Sequence, residues 1–218
     1  MKRANLLTIL SIVVALVPPA YLALIWNSVP QTVPIHFDES LNPDRYGSRN
    51  ELWYIALIIA AVSILLFILL KNIHRIDPKR KNQPSSRFTQ LAIGLVIFMS
   101  ALSLLIIFSA AHNTRLMENL LFPFMGLLFA FLGNYMVNIK PNYFAGFRLP
   151  WTLNNNENWR RTHQLGGKLW FWGGLALAMI CLIIPVKFAA PLFIIVMVIL
   201  TAIPAIYSYR IFKGKVKE

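Results

Sequence analysis

Leu52-Trp53-Tyr54-Ile55-Ala56-Leu57-Ile58-Ile59-Ala60-Ala61-Val62-Ser63-Ile64-Leu65-Leu66-Phe67-Ile68-Leu69-Leu70 runs without a charge between Glu51 and Lys71. An α-helix rises 1.5 Å per residue, and about 20 apolar residues cross ~30 Å of hydrocarbon. This stretch is therefore long enough to span a bilayer. Its apolar residues are continuous rather than alternating, which argues against a strand of a membrane barrel. Five further apolar segments flank it, at roughly 5–26, 89–111, 119–137, 169–185 and 191–209. The fifth is shorter, but Lys168 is placed to snorkel, and Trp170 and Trp172 suit a membrane interface. Composition agrees: 57% of the 218 residues are hydrophobic and 13% charged, against about 25% charged in soluble domains. That excludes a disordered chain, a coiled coil and an ordinary soluble enzyme. The expected fold is an all-α integral membrane protein with about six transmembrane helices.

Basic residues set the expected orientation. Lys2 and Arg3 precede the first segment. Lys71, Arg75, Lys79, Arg80, Lys81 and Arg87 lie in the 71–88 loop. Lys140, Arg148, Arg160, Arg161 and Lys168 lie in the 138–168 loop, and Arg210, Lys213, Lys215 and Lys217 in the tail. With six spans, all of these share one side, and only Arg45, Arg49, Arg115 and Lys187 fall on the other. The excess of Lys and Arg in cytoplasmic loops places both termini in the cytoplasm and the 27–51 loop outside. It also accounts for most of the net charge of +13, so no direct nucleic-acid partner is expected. The first segment exceeds a signal-peptide core and reads as an uncleaved anchor. Pro18-Pro19 is expected to kink or break its helix, a break that neighbours can repair by satisfying the freed carbonyls. Cys181 stands alone, so no intrachain disulfide and no Cys-based zinc site can form.

The spans carry no Asp, Glu, Lys, Arg or His near their centres, which argues against an ion-coupled antiporter. Asn134 and Asn138, one turn apart, read as interhelical hydrogen-bonding groups. Gly126 and Gly133, then Gly166-Gly167 and Gly173-Gly174, recur every seven residues and return small residues to one helix face, where backbones can approach closely.

Two loops carry more information. In the outer one, Pro30 and Pro34 impose extended backbone, and Val33, Ile35 and Phe37 alternate with Pro34 and His36. A short strand or extended segment is expected, followed by a turn at Asn42-Pro43-Asp44. Three readings compete for this loop. His36 and Asp44 hydrogen-bond it together, or His36 with Asp38, Glu39 or Asp44 binds a metal, or the loop presents a ligand-facing surface. In the inner loop, Gly146 and Pro150 punctuate the chain. Asn154 reads as an N-cap with Glu157 three residues on, so a helix is expected to begin near Asn155. Trp159, His163, Gly166 and Trp170 then share one face, and Arg160, Arg161 and Gln164 lie to the other side. The segment reads as an interfacial cytoplasmic helix with aromatics at headgroup depth and arginines toward phosphates. A recognition surface for a peptide or cytoplasmic protein is the competing reading. No nucleophile–base pair is arranged here, and no enzymatic activity or cofactor is expected.

The run from Val33 to Ser48, Val-Pro-Ile-His-Phe and then Pro-Asp-Arg-Tyr-Gly-Ser, resembles the DUF1648 signature. The run from Pro141 to Gly167, including Phe-Ala-Gly-Phe-Arg-Leu-Pro-Trp and Asn-Trp-Arg-Arg-Thr-His-Gln, resembles that of the SdpI family of bacterial membrane immunity proteins. Three positions depart from the pattern. Leu41 stands where Gly is expected, so the turn before Asp44 should differ; Leu149 stands for Thr and Gln164 for Arg. The resemblance implies residues 1–71 as a DUF1648-like region, 72–88 as a basic linker and 89–218 as an SdpI-like four-helix region. It also implies residence in the bacterial cytoplasmic membrane and protection against a secreted toxin peptide, coupled to sequestration of a cytoplasmic repressor. Phe147, Arg148, Trp151, Trp159, Arg160 and His163, with His36 and Asp44 outside, are the residues expected to meet such partners. A small peptide or lipid transporter, for which Asn134, Asn138 and Pro18-Pro19 are the only hints, is the alternative. A metal-dependent membrane enzyme built on His36 is a third reading.

Overall fold

The computed structural model describes residues 2–38, 41–80 and 86–214. Glu39, one of the candidate metal carboxylates, and Lys81, Lys215 and Lys217, three of the orientation-setting cations, lie outside them. The described chain is mostly helical. In order it forms α1 (Lys2–Ile25), β1 (Thr32–Phe37), β2 (Pro43–Ser48), α2 (Glu51–Lys71), α3 (Ser86–His112), α4 (Leu116–Met136), the single turn α5 (Pro150–Leu153), α6 (Asn156–Ile183) and α7 (Val186–Phe212). Six of these helices are long and apolar enough to cross a membrane. Their outer faces leave large apolar side chains uncovered, Leu24 at 86% and Ile183 at 80% exposure among them. A soluble monomer rarely tolerates so much apolar surface; a multi-pass membrane protein presents it to lipid.

The chain packs as two units, Met1–Lys71 with Phe88–Leu121, and Asn72–Arg87 with Phe122–Glu218. In the first unit, Leu22, Val29, Val33, Leu52, Ala56, Ile107, Ala110 and Ala111 form a buried cluster. It joins the hairpin to the ends of α1, α2 and α3. The carbonyls of Trp26 and Val29, past the end of α1, accept from the Arg49 guanidinium at 3.1 and 3.2 Å. That guanidinium also lies 4.4 Å over the Trp26 ring. Glu51 in the first turn of α2 and Lys71 in the last match the helix dipole. In the second unit, Leu177, Cys181 and Ala189 are buried with Phe122, Phe193 and Met197 against them.

Helix α1 runs unbroken through Pro18 and Pro19, so of the expected kink or break, the break does not occur. Pro18 has no N–H for the carbonyl four residues back, which is that of Val14. Ser100 Oγ, from α3, donates to that carbonyl at 2.9 Å. The repair comes from a neighbouring helix and is local enough to leave the helix whole.

The outer loop is an antiparallel hairpin pairing Thr32 with Ser48, Val33 with Gly47 and Pro34 with Tyr46, with irregular register beyond Pro34. At its turn, Leu41 takes φ +57°, the left-handed conformation that glycine adopts without penalty. Leucine thus stands here in a backbone conformation that suits glycine. Asp38 holds the turn: its Oδ1 accepts the Asn42 N–H at 2.8 Å, and its carbonyl accepts the Leu41 N–H at 2.9 Å.

Helices α4 and α6 meet at the heptad-spaced glycines. A Cβ on Gly126 would come within 2.7 Å of the Ala178 nitrogen and 2.8 Å of the Gly174 carbonyl oxygen, and one on Gly167 within 2.7 Å of the Gly133 oxygen. Backbone touches backbone, so no side chain fits there. Asn134 and Asn138 are exposed and make no hydrogen bond among the described residues. The interhelical bond expected of them is absent there, because glycine rather than asparagine occupies the contact face.

Two substitutions test these local accounts. Ser100→Ala leaves the Val14 carbonyl unpaired and is expected to lower unfolding free energy in mixed micelles by about 1 kcal/mol. Leu41→Gly relieves the left-handed strain and is expected to raise it by roughly 1 kcal/mol.

Candidate functional site

Between α4 and α6 the chain has to reverse through irregular backbone, and buried peptide groups there need partners. Side chains supply them. Asn142 is fully buried; its Oδ1 accepts from the N–H of Phe144 (2.8 Å) and Ala145 (2.7 Å), and its Nδ2 donates to the carbonyls of Lys140 (2.9 Å) and Ala145 (3.2 Å). Asp77, 1% exposed, accepts the N–H groups of Tyr143 and Lys79 at 3.3 and 2.9 Å. Lys79 Nζ donates to the Leu153 carbonyl and lies 5.7 Å over the Tyr143 ring. Thr152 Oγ1, buried, contacts the Phe147 carbonyl at 2.6 Å and accepts the Leu149 N–H at 3.0 Å. Leu149 has no side-chain acceptor with which to cap α5, and Thr152 reaches back in its place.

Helix α6 supports this loop from below. Its N-cap is Asn155, whose side chain accepts the Asn158 N–H. The expected cap at Asn154 is thus one residue early. Glu157 does not close a capping box: its carboxylate takes Arg160 at 2.5 and 2.8 Å, with Arg161 at 3.7 Å. An arginine one turn away offers a fork that a single backbone N–H cannot match. The helix then continues as one piece into the fifth apolar segment.

Trp159 and His163 are each 1% exposed. Their rings stack at 4.0 Å with 20° between planes. Trp159 Nε1 donates to the Ile139 carbonyl at 2.8 Å. The Phe147 N–H donates to His163 Nε2 at 2.8 Å, so Nε2 carries no proton. Nδ1 therefore holds it and donates to the Trp159 carbonyl at 2.8 Å. The imidazole is neutral, of one tautomer, and saturated; it ties the loop to the helix and has no nitrogen left for acid–base chemistry. Gly146, at φ +98°, passes so close that a Cβ would strike Nε2.

The structure brings together three of the residues singled out in sequence: Phe147, half-buried and edge-on to His163 at 5.7 Å, with Trp159 and His163. Trp151, in α5, is half-buried against α7, its Nε1 donating to Ser208 Oγ at 2.8 Å and its ring 5.3 Å from Tyr209. Arg148 and Arg160 are exposed. Arg148 donates to the Tyr143 carbonyl at 2.8 Å, and Arg160 NH1 to Gln164 Oε1 at 3.2 Å. An arginine at position 164 could not accept that bond. His36 and Asp44 belong to the hairpin of the other unit, where they pair at 2.6 Å across the strands. No group of three or more His, Cys, Asp or Glu side chains able to hold a metal occurs among the described residues.

One expectation needs correcting. Trp159 does not present its ring to lipid headgroups; it is enclosed by protein, and its Nε1 is taken by the Ile139 carbonyl. Sequence reasoning missed Asn142, Asp77, Thr152, Asn158, Thr162 and Ser208, all at 0–1% exposure. Helical spacing was a usable signal for Asn158 and Thr162, which lie on the same side as Trp159 and bond at 3.0 Å. His163 labelled with 15N in the purified protein is expected to show one pyridine-type and one pyrrole-type nitrogen at neutral pH, the proton on Nδ1. An Nε2-protonated ring or an imidazolium would contradict the loop geometry.

The chain is similar over 101 residues to an uncharacterized protein of Archaeoglobus fulgidus, at 26% identity, covering 37% of this chain and 55% of that protein. It thus spans about half the length of the curated relative it matches. No solved structure matches it. Residues 138–208, the loop and the helices that carry it, match the SdpI/YfhL protein family, and residues 8–60, with the hairpin, match the domain of unknown function DUF1648. Along the chain the DUF1648 match precedes the SdpI/YfhL match, the order in which the two resembling stretches stand in the sequence.

Proposed function

We propose that this multi-pass membrane protein protects a bacterium against a secreted antimicrobial peptide and reports the encounter to a cytoplasmic partner. The reading rests on one observation above others. The SdpI/YfhL match covers the segment in which a costly buried polar network holds irregular backbone in a single shape. Buried polar networks contribute little net stability and much definition of shape, which suits a recognition element. In this reading 138–168 faces the cytoplasm and the hairpin faces outward, as the distribution of Lys and Arg requires. Arg148 and Arg160 are the outward groups available to an acidic partner such as a repressor protein. Trp159 and His163 act from inside by holding the loop. His36 and Asp44 brace the hairpin that meets the peptide.

The test is survival of a sensitive, immunity-deleted bacterium challenged with an SDP-like toxin peptide. Expression of this chain is expected to raise survival at least tenfold. Trp159→Ala with His163→Ala should abolish protection while the protein stays in the membrane. Arg148→Ala with Arg160→Ala should keep the fold and lose crosslinking to the partner. Membrane-inserted wild-type protein that gives no protection overturns the proposal.

A further inference from the structure

The first unit contains a cavity of about 450 Å³ between the hairpin, α2, α3 and the start of α4. That size is typical of small-ligand sites, roughly 300–1,000 Å³. Its wall is largely apolar, with Ile35, Phe37, Ile55, Ile106 and Met117 in the lining. Glu118 also lines it and is 8% exposed. Glu118 Oε2 is buried and accepts no hydrogen bond among the described residues. The nearest cation is Arg115, with Nε at 3.5 Å from that oxygen. The Arg115 guanidinium is mostly in solvent, and its NH2 is directed to Asn42 Oδ1 at 3.1 Å, on the hairpin turn. Ser109, another polar side chain in the lining, is committed to its own loop: its Oγ donates to the Thr114 carbonyl at 2.6 Å and accepts the Met117 N–H at 3.1 Å. Glu118 is thus ion-paired with Arg115 at the wall of a largely apolar cavity, and its buried Oε2 accepts no hydrogen bond among the described residues.

We propose that this cavity binds the amino-terminal end of an apolar peptide, with the ligand's ammonium on Glu118 and its first side chains against Phe37, Ile55 and Ile106. The proposal rests on the reading of the protein as a peptide-immunity protein and gives that reading a site. Arg115 also lines the cavity, but its guanidinium stands largely in solvent, and a phosphate or carboxylate at the buried Oε2 would meet it with like charge. A bare acyl chain leaves that oxygen without a hydrogen bond. In phosphatidylethanolamine the ammonium is separated from the acyl chains by a phosphate and a glycerol, so wall and carboxylate are not served together in so small a space. A peptide amino terminus places its ammonium one carbon from an apolar side chain and serves both.

The experiment uses the full chain in nanodiscs of phosphatidylcholine and phosphatidylglycerol, titrated calorimetrically with leucyl-isoleucyl-phenylalanine amide and its N-acetylated form. The free amine is expected to bind at least tenfold more tightly than the acetylated peptide. Glu118→Gln should remove that preference. Ile106→Trp, which fills the cavity without touching the charge, should weaken both forms. Equal binding of the two peptides, or binding unaltered by both variants, overturns the proposal. Loss of peptide binding on adding phosphatidylethanolamine also overturns it and assigns the cavity to a lipid amine. Binding without protection in the survival assay counts against the immunity reading alone; protection that persists in both variants counts against this site alone.

Discussion

A peptide group that loses its helical partner in an apolar setting has to find another, because an unpaired N–H or carbonyl there costs several kcal/mol. Most of this chain meets the requirement by being helix. The informative places are those where helical pairing stops. At Pro18 the freed Val14 carbonyl is taken by Ser100 from α3. Past the end of α1, the carbonyls of Trp26 and Val29 are taken together by Arg49. Between α4 and α6, the irregular backbone is taken by Asn142, Thr152, Trp159 and His163. In each case polar side chains of defined geometry replace what a regular ladder would have supplied.

The third of these arrangements depends on the glycine contact. With Gly126 and Gly133 against Gly174 and Gly167, helices α4 and α6 approach until backbone meets backbone. Only at that separation does Trp159, in the first turn of α6, reach the Ile139 carbonyl just beyond the end of α4. A wider spacing, as between helices faced with leucine, would leave both groups unpaired. Small residues in the apolar part of the second unit therefore position the polar groups at its end. Gly146 and Gly166 extend the same logic, making room for the His163 ring and the Phe147 ring.

The six long helices were legible because hydropathy over about 20 residues is a strong signal and needs no knowledge of partners. The glycine repeat was legible for a similar reason, since spacing alone places small residues on one face. The Trp159–His163 face could be read from the four-residue interval between them. What it packs against could not. Headgroup depth was the expectation for Trp159, yet the carbonyl it meets comes from residue 139, twenty positions away. Asp77 was hidden for the same reason: it lies in a basic linker and reads as a solvated charge until Tyr143 is folded over it. Asn134 and Asn138 failed in the opposite direction, since residue type suggested a bond and helix rotation turned both outward. Leu41 was hidden because nothing in the identity of a leucine announces a left-handed turn.

Helical periodicity divides the Asn158-Trp159-Arg160-Arg161-Thr162-His163 run into two jobs. Asn158, Trp159, Thr162 and His163 point inward and saturate one another, the loop and the Ser208 carbonyl. Arg160 and Arg161 point outward and share Glu157. The inner set cannot touch a partner without first opening the loop, and opening it would strand several buried donors and acceptors at about 1–3 kcal/mol each. The aromatic and amide residues thus fix where the exposed Arg160 stands. Exposed ion pairs such as Arg160 with Glu157 are worth little in water, where solvent screens them. That pair can therefore part at low cost, while the stacked Trp159 and His163 rings beneath keep the helix turn that carries Arg160 in place.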